Sequence, residues 1–518
     1  MNGAELMVQT AAAAGIEVCF TNPGTTELPL VEAFDSVEGV RPVLGLFEGC
    51  CAGAADGYAR LTDKPAMTLF HLGPGFSNAI ANLHNARRAR SPVLNIIGDH
   101  ATWHQDADAP LTMDINALAR TVSGWTRTGA SIEALSRDTA QAIAAAREGC
   151  VATLIMPHDI QWSEISHQVI HRVEQAATLV DVDLIKHAAN LLRQSEAAVM
   201  VLGGRALRQE GLKTAARIQN KTGCALLSET FPAHMARGAG LPAIERIPYA
   251  PTAALNLLSQ YDSIVLAGAK APVAFFGYRN GPSRLLTADQ KSVDLEMMGS
   301  THIQISLESL ADALDAPQSS KIGGNASTRI IRPKPQSGSL TPKKIGAVIA
   351  ALQPENAIVV EEAVTSGVGY YGVTSAVPPF SLLTLTGGAI GQGMPCAVGA
   401  AMACPDRPVI DFQADGSAMY TLQALWMQAR EGLNITTLIC ANQRYRILEA
   451  GIAQTGNLSP GVYTRSLTDL SNPSIDWVDL SKGMGVPAVS VETVEELTRH
   501  LGKSLNEPGP FLIEMRLG

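Results

Sequence analysis

The chain has 518 residues, of which 46% are apolar and 17% charged, with a formal net charge of −9. That length fits roughly three domains of about 150 residues each, and the apolar share is enough to fill large cores, which excludes a disordered chain. The charge shows no basic stripe or acidic block, which argues against a nucleic-acid partner.

The first residues lack the basic start of a signal peptide, and no apolar run approaches the roughly 18 residues of a membrane span. Eight scattered cysteines, with Cys50-Cys51 the one close pair, show no metal or redox spacing. These features predict a soluble cytoplasmic α/β enzyme or binding protein, with no nucleic-acid or membrane partner.

In chain order, a helix is expected over 4–14, then a strand over 18–20. A turn over 21–27 follows, because Asn22-Pro23 and Pro23-Gly24 are strong turn signals. A strand over 43–47 ends at Glu48. The helix after it, 49–60, is built largely of Ala, Gly and Cys and must pack very closely against something. Strands over 66–71 and 93–98 come next, with Leu72-Gly73-Pro74-Gly75 read as a turn. Strands alternating with helices indicate a parallel sheet, whose ligands sit at the carboxyl ends of the strands. Thr25, Glu48, His71, Asp99 and His100 all fall at such ends. Glu48 could be a helix-start acid favoured by the dipole. Its small, apolar neighbours equally suit a carboxyl that exchanges a proton with a ring nitrogen. His100 and His104 stand four apart, as zinc ligands can on a helix, but no further ligand stands at matching spacing.

A polar stretch over 163–177 leads to a second segment with a helix over 182–192, a strand over 197–202 and the pair Gly203-Gly204. That pair lacks the Gly-x-Gly-x-x-Gly spacing of a dinucleotide site. Residues 321–342, rich in Pro, Ser, Gly, Lys and Arg, read as a linker. In the third segment a strand over 357–360 leads to Thr365-Ser366, whose hydroxyls could cap a helix or hold a phosphate. Next comes the glycine-rich run 387–395. An apolar strand over 408–412 then precedes Asp415-Gly416-Ser417, a helix is expected over 417–431, and the following strand delivers Asn442. A carboxylate, an amide oxygen and backbone N–H groups at a helix start suit Mg²⁺ together with a diphosphate.

These stretches resemble the thiamine-diphosphate-dependent enzymes of the acetolactate synthase and benzoylformate decarboxylase superfamily. The resemblance rests on Phe20 to Glu27, Glu48 with Ala54 to Ala59, Ala81 to Ala86 with Ser91-Pro92, and Asp415-Gly416 with Asn442. Ala414 and Ala441 replace the first Gly and the first Asn of the family's diphosphate motif, positions whose side chains do not hold metal there. The resemblance covers essentially the whole chain. It implies three doubly wound α/β domains of the thiamin-diphosphate-binding fold: pyrimidine-binding (1–165), middle (180–320) and, after the linker 321–342, diphosphate-binding (343–518).

The cofactors it implies are thiamine diphosphate and Mg²⁺. The glutamate matching Glu48 contacts N1′ of the aminopyrimidine in the family, and His71 and Thr25 match substrate-facing residues of benzoylformate decarboxylase. Thr365, Ser366, Gly416, Ser417 and Asn442 are expected to bind cofactor. The carbonyl at Gly388 is expected to accept from the aminopyrimidine, and Ile390 to wedge beneath the bent cofactor. Asp415, Asn442 and the Arg444 carbonyl are the implied metal ligands. FAD, carried by the middle domain in acetolactate synthases, has no motif here and is not favoured. Benzoylformate decarboxylase also places a second active-site histidine in its middle domain; none stands between Met235 and Thr301.

The implied activity is decarboxylation of a 2-keto acid, with carboligation of the product as a second outcome. An acetolactate synthase is the alternative, and a non-catalytic cofactor-binding relative a further one. In the family the cofactor lies between two subunits, so a homodimer is the minimum and a homotetramer usual.

Overall fold

The structure, a computed structural model, describes residues 1–166, 170–173, 180–279, 281–295, 302–318, 329–454 and 459–517. Of the two stretches read as linkers, residues 321–328 and parts of 163–177 lie outside those described. The chain divides into two compact units. One comprises 1–175, 333–371 and 385–518, and the other 176–332 and 372–384.

In the first unit, six strands form one sheet: β1 (Val18–Asn22), β2 (Arg41–Leu44), β3 (Ala66–His71), β4 (Val93–Asp99), β5 (Trp125–Thr128) and β6 (Val151–Pro157). Their order is 2-1-3-4-6-5, and every pairing is parallel. The central strands are buried on both faces and read as near-continuous apolar runs for that reason.

The second unit holds β7 (Ala198–Leu202), β8 (Ala225–Ser228), β9 (Met235–Arg237), β10 (Glu245–Arg246), β11 (Ser263–Ala267) and β12 (Lys291–Asp294). Five of these form a parallel sheet in the order 10-8-7-11-12. β9 pairs antiparallel with a later strand of the same unit, β14 (Phe380–Thr384). A third group, in the first unit, comprises β13 (Ile358–Glu362), β15 (Val409–Ala414), β16 (Ile435–Ala441), β17 (Ala488–Val491) and β18 (Phe511–Arg516). These run parallel in the order 17-18-16-15-13.

The Ala/Gly/Cys helix spans Glu48–Thr62 and packs on the helix Gly393–Ala403. Glycine makes this contact. A Cβ at Gly57 would lie 2.1 Å from the Cys396 carbonyl oxygen, and one at Gly399 would lie 1.8 Å from that of Ala54. A buried Asp56–Arg60 pair, 2.7 Å apart, locks the seam; Arg60 also donates to Thr386 and Gln392 donates to Asp56.

Three local expectations are corrected. Leu72-Gly73-Pro74-Gly75 is the first turn of a long helix, Leu72–Ala89, where the missing N–H of Pro74 costs nothing. β2 stops at Leu44, because Gly45 must approach Cys51: a Cβ there would lie 2.5 Å from its Sγ. The helix expected over 417–431 breaks into Asp415–Ala418 and Ala424–Arg430.

Candidate active site

From the order 2-1-3-4-6-5, the chain leaves neighbouring strands β1 and β3 in opposite directions, which opens a crevice at their carboxyl ends. Glu27, in the turn after β1, meets His71, the last residue of β3. The imidazole Nδ1 lies 2.8 Å from Glu27 Oε2 and 3.1 Å from Thr26 Oγ1. Glu27 is fully buried and also accepts from the Gly24 N–H at 2.8 Å and from the Thr26 hydroxyl.

Two glycines make room for the pair. A Cβ at Gly98 would lie 1.8 Å from Glu27 Oε1, and one at Gly24 would lie 2.3 Å from His71 Cγ. The hydrogen bond that His71 donates to Glu27 raises the His71 pKa, against the opposing effect of burial. A carboxylate on Nδ1 makes that nitrogen the proton-bearing one. Among the described residues His71 Nε2 has no partner, and the side chain is 23% exposed. Thr25, expected to face substrate, is exposed at the start of the turn; the hydroxyl that meets His71 is that of Thr26.

Glu48 opens its helix at 9% exposure and accepts from Asn78 Nδ2 at 3.0 Å. Gly75 creates its space, since a Cβ there would lie 3.1 Å from Glu48 Oε1 and 3.3 Å from His71 Cβ. Glu48 and His71 thus flank one glycine. Burial raises the Asp99 pKa, while its bonds from the His100 N–H and Gln105 oppose the rise. His100 meets His104, on the 3₁₀ turn Thr102–Ala107, ring to ring at 5.4 Å, and no group of three or more His, Cys, Asp or Glu fit to hold a metal occurs among the described residues.

At the third group of strands, Asp415 follows β15 and Asn442 follows the adjacent β16. Asp415 is 3% exposed; it accepts from the Gly416 N–H at 2.8 Å and the Gln443 N–H at 2.6 Å. Burial raises its pKa, and those backbone bonds oppose the rise. Asn442 Oδ1 accepts from the Arg444 N–H at 3.0 Å, and the Arg444 carbonyl accepts from the Arg446 N–H. Ser417 is buried in the short helix that Asp415 opens.

After β13, Thr365 is half-buried, whereas Ser366 is buried with its hydroxyl on the Cys440 thiol. In the loop 387–392, Gly388 is exposed at φ 77° and its carbonyl has no partner among the described residues; Ile390 is partly exposed.

Backbone strain marks these same places. Leu72 (φ 51°) follows His71, Val364 (φ 49°) precedes Thr365, and Gln443 (φ 56°) follows Asn442. A branched residue such as Val364 adopts that conformation only where its surroundings impose it, and such residues concentrate at functional sites.

The donor set fits a metal-bound diphosphate at one edge: a carboxylate, an amide oxygen and N–H groups at a helix start. The unpartnered Gly388 carbonyl fits a ring amine. Residues 1–118 match the family model "Thiamine pyrophosphate enzyme, N-terminal TPP binding domain", and 367–515 match its C-terminal TPP binding domain. A Mycobacterium tuberculosis protein, provisionally named acetolactate synthase large subunit IlvX, is 46% identical over 99% of both chains. The chain belongs to the thiamine pyrophosphate enzymes.

The benzoylformate decarboxylase of Pseudomonas aeruginosa is 28% identical to the enzyme, covering 97% of this chain and 96% of that one. In fold the enzyme is similar to the thiamine diphosphate-dependent 4-hydroxybenzoylformate decarboxylase of Rhodococcus jostii RHA1. The TM-score is 0.87 at 24% identity, over 100% of this chain and 99% of that one. The family comprises decarboxylases and carboligases, so the chain is an enzyme of that kind.

Sequence reasoning missed Glu27, Asn78 and Glu362 as parts of the site. Glu27 stood inside a quoted motif, but its partner His71 is 44 residues away and nothing local pairs them. As the sequence indicates, the second active-site histidine of benzoylformate decarboxylase has no counterpart between Met235 and Thr301. His234, just before that stretch, is buried with Nε2 2.9 Å from Ser381 Oγ.

Proposed function

We propose that the enzyme decarboxylates a 2-keto acid in the manner of benzoylformate decarboxylase, using thiamine diphosphate and Mg²⁺. The observation that carries this reading is the His71–Glu27 pair beside Glu48: one histidine with a fixed tautomer, next to a buried carboxyl. When bound, thiamine diphosphate supplies a carbon nucleophile and an electron sink.

The chain's own residues would do the rest. Glu48, held in place by Asn78, would bind the aminopyrimidine and hold or release a proton there. His71 keeps its proton on Nδ1 against Glu27 and moves a second one at Nε2, to or from substrate. Thr26 and Thr25 stand at the same turn. The Gly388 carbonyl and Ile390 would hold the cofactor's rings. Asp415, Asn442 and the Arg444 carbonyl hold Mg²⁺, with Thr365, Ser366, Gly416 and Ser417 lining the diphosphate. A cytoplasmic homodimer or homotetramer completes the reading.

A second reading, an acetolactate synthase that joins the product to another keto acid, draws support from the name of the 46% identical relative. One experiment separates the two. CO₂ release and product are measured over a panel from pyruvate to benzoylformate, with both cofactors present. An aldehyde product supports the first reading and a 2-hydroxy-2-methyl-3-keto acid the second. No release from any acid overturns both.

A further inference from the structure

Glu362, the last residue of β13, is 2% exposed, and its carboxylate spans three consecutive backbone N–H groups. Oε1 accepts from Gly391 at 2.8 Å and Gln392 at 3.2 Å, and Oε2 from Gly393 at 2.7 Å. Those residues end the 387–392 loop and open the eleven-residue helix Gly393–Ala403, whose N-terminal dipole favours a negative charge there. Gly393 is glycine for this contact, since a Cβ would lie 2.9 Å from Glu362 Oε2 and 1.8 Å from Gln413 Nε2.

The loop's other side is pinned from elsewhere. Asn85 Nδ2 donates to the Ala389 carbonyl at 2.8 Å, and Asn82 Nδ2 and Thr421 Oγ1 donate to that of Gly391 at 3.2 and 2.9 Å. Asn82 also donates to the Gly49 carbonyl at 2.8 Å, beside Glu48. Two residues past Glu362 stands the strained Val364, which turns the chain into Thr365.

We propose that Glu362 is a positioning residue, a buried strut that sets the 387–393 loop at the height from which the Gly388 carbonyl and Ile390 meet the cofactor, and that couples this loop to the Thr365 turn. It touches no cofactor atom itself. The inference rests on the cofactor reading above. Its geometry does not, because the three N–H bonds are made within this chain alone. Charge matters as well as shape: a glutamine in its place would turn an NH₂ group toward an N–H donor and leave both without an acceptor.

The test compares the wild-type enzyme with Glu362→Gln and with Tyr370→Phe. The latter removes a buried 2.6 Å bond to Gln353 in the same unit and serves as the stability control. Amide hydrogen exchange at residues 391–393 is read without cofactor, and thiamine diphosphate affinity with Mg²⁺ by calorimetry.

Glu362→Gln is expected to speed exchange at those three amides at least tenfold and to weaken cofactor binding at least tenfold. Tyr370→Phe is expected to lower Tm while leaving affinity within twofold. Unchanged exchange in Glu362→Gln overturns the strut, whatever the cofactor does. Equal loss of affinity in both variants also overturns it, since the effect would then be general destabilisation. A wild-type enzyme that binds no thiamine diphosphate overturns the functional reading and the cofactor half of this inference, while the exchange result still decides the strut.

Discussion

The first sheet and the third group of strands both end in polar residues, but they hold them by opposite means. At the first, side chains hold side chains: Glu27 on His71, Asn78 on Glu48. At the third, the backbone holds them: Gly416 and Gln443 N–H groups on Asp415, the Arg444 N–H on Asn442, three N–H groups on Glu362. Side-chain pairs fix where a proton sits and leave it free to move, which suits acid–base work. Backbone donors cannot titrate, so they fix the position of the carboxylates they hold.

The second unit shows that the topology alone does neither. Its parallel sheet ends β7 at Gly203-Gly204, and the residues that cluster in the segments after β8, β10 and β11 are aromatic: Phe231, Tyr249, Phe275 and Phe276. Function lies in the residues at the strand ends.

The largest effect that would break this contrast is at Glu48. Glu48→Gln is expected to lower CO₂ release by about 10²–10⁴-fold, with calorimetry showing the cofactor still bound. Retained turnover would remove the first edge from the chemistry.

Next is the metal edge, where Asp415→Asn is expected to weaken Mg²⁺-dependent cofactor binding at least about tenfold to a hundredfold, a loss typical even of groups that only support metal ligands. Turnover at saturating cofactor should suffer less than affinity. Affinity unmoved by this change would mean the backbone-held carboxylate holds no metal.

Glu27→Gln sharpens the proton side. Glu27 raises the His71 pKa, so its removal lets the imidazolium lose its proton at lower pH. The limb of the kcat/KM profile that reports His71 is therefore expected to move to lower pH. An unmoved limb would show that the pair is structural.

At the seam of the Glu48 helix, Gly57→Ala puts a Cβ against the Cys396 carbonyl and is expected to cost about 1–3 kcal/mol, read as a lower Tm.

The smallest effect concerns buried charge. Burial holds Glu362 up at about 7 and Asp411 up at about 8, each pKa above its unfolded value. With folded pKa values raised, the folded state keeps protons that the unfolded state has lost. Their contribution to stability is therefore full below the ordinary carboxylate range and lost as pH rises through about 7 and 8. Tm should fall over that window, and Asp411→Asn should flatten the fall. An equal slope in both proteins would refute the assignment.

The sequence by itself determined the elements and the chemistry of their ends. Apolar runs bounded by Gly, Pro and Asp mark β3, β4, β7 and β15 within a residue or two, because burial on both faces admits little else. The residue types of the Asp415-Gly416 motif and of Glu48 suggested oxygen donors for a diphosphate with a metal and a carboxyl for proton exchange, the readings that the proposed function carries forward. The small-residue composition of 49–60 foretold close packing but not its partner, Gly393–Ala403.

Only the tertiary structure decided which groups meet. The partner of His71 is Glu27, the hydroxyl beside it is that of Thr26, and the carboxylate under the glycine loop is Glu362. These contacts join residues separated by 29 to 45 positions. Local propensity and spacing carry no information over such distances; the register of neighbouring strands does, and that is set only when the sheet forms.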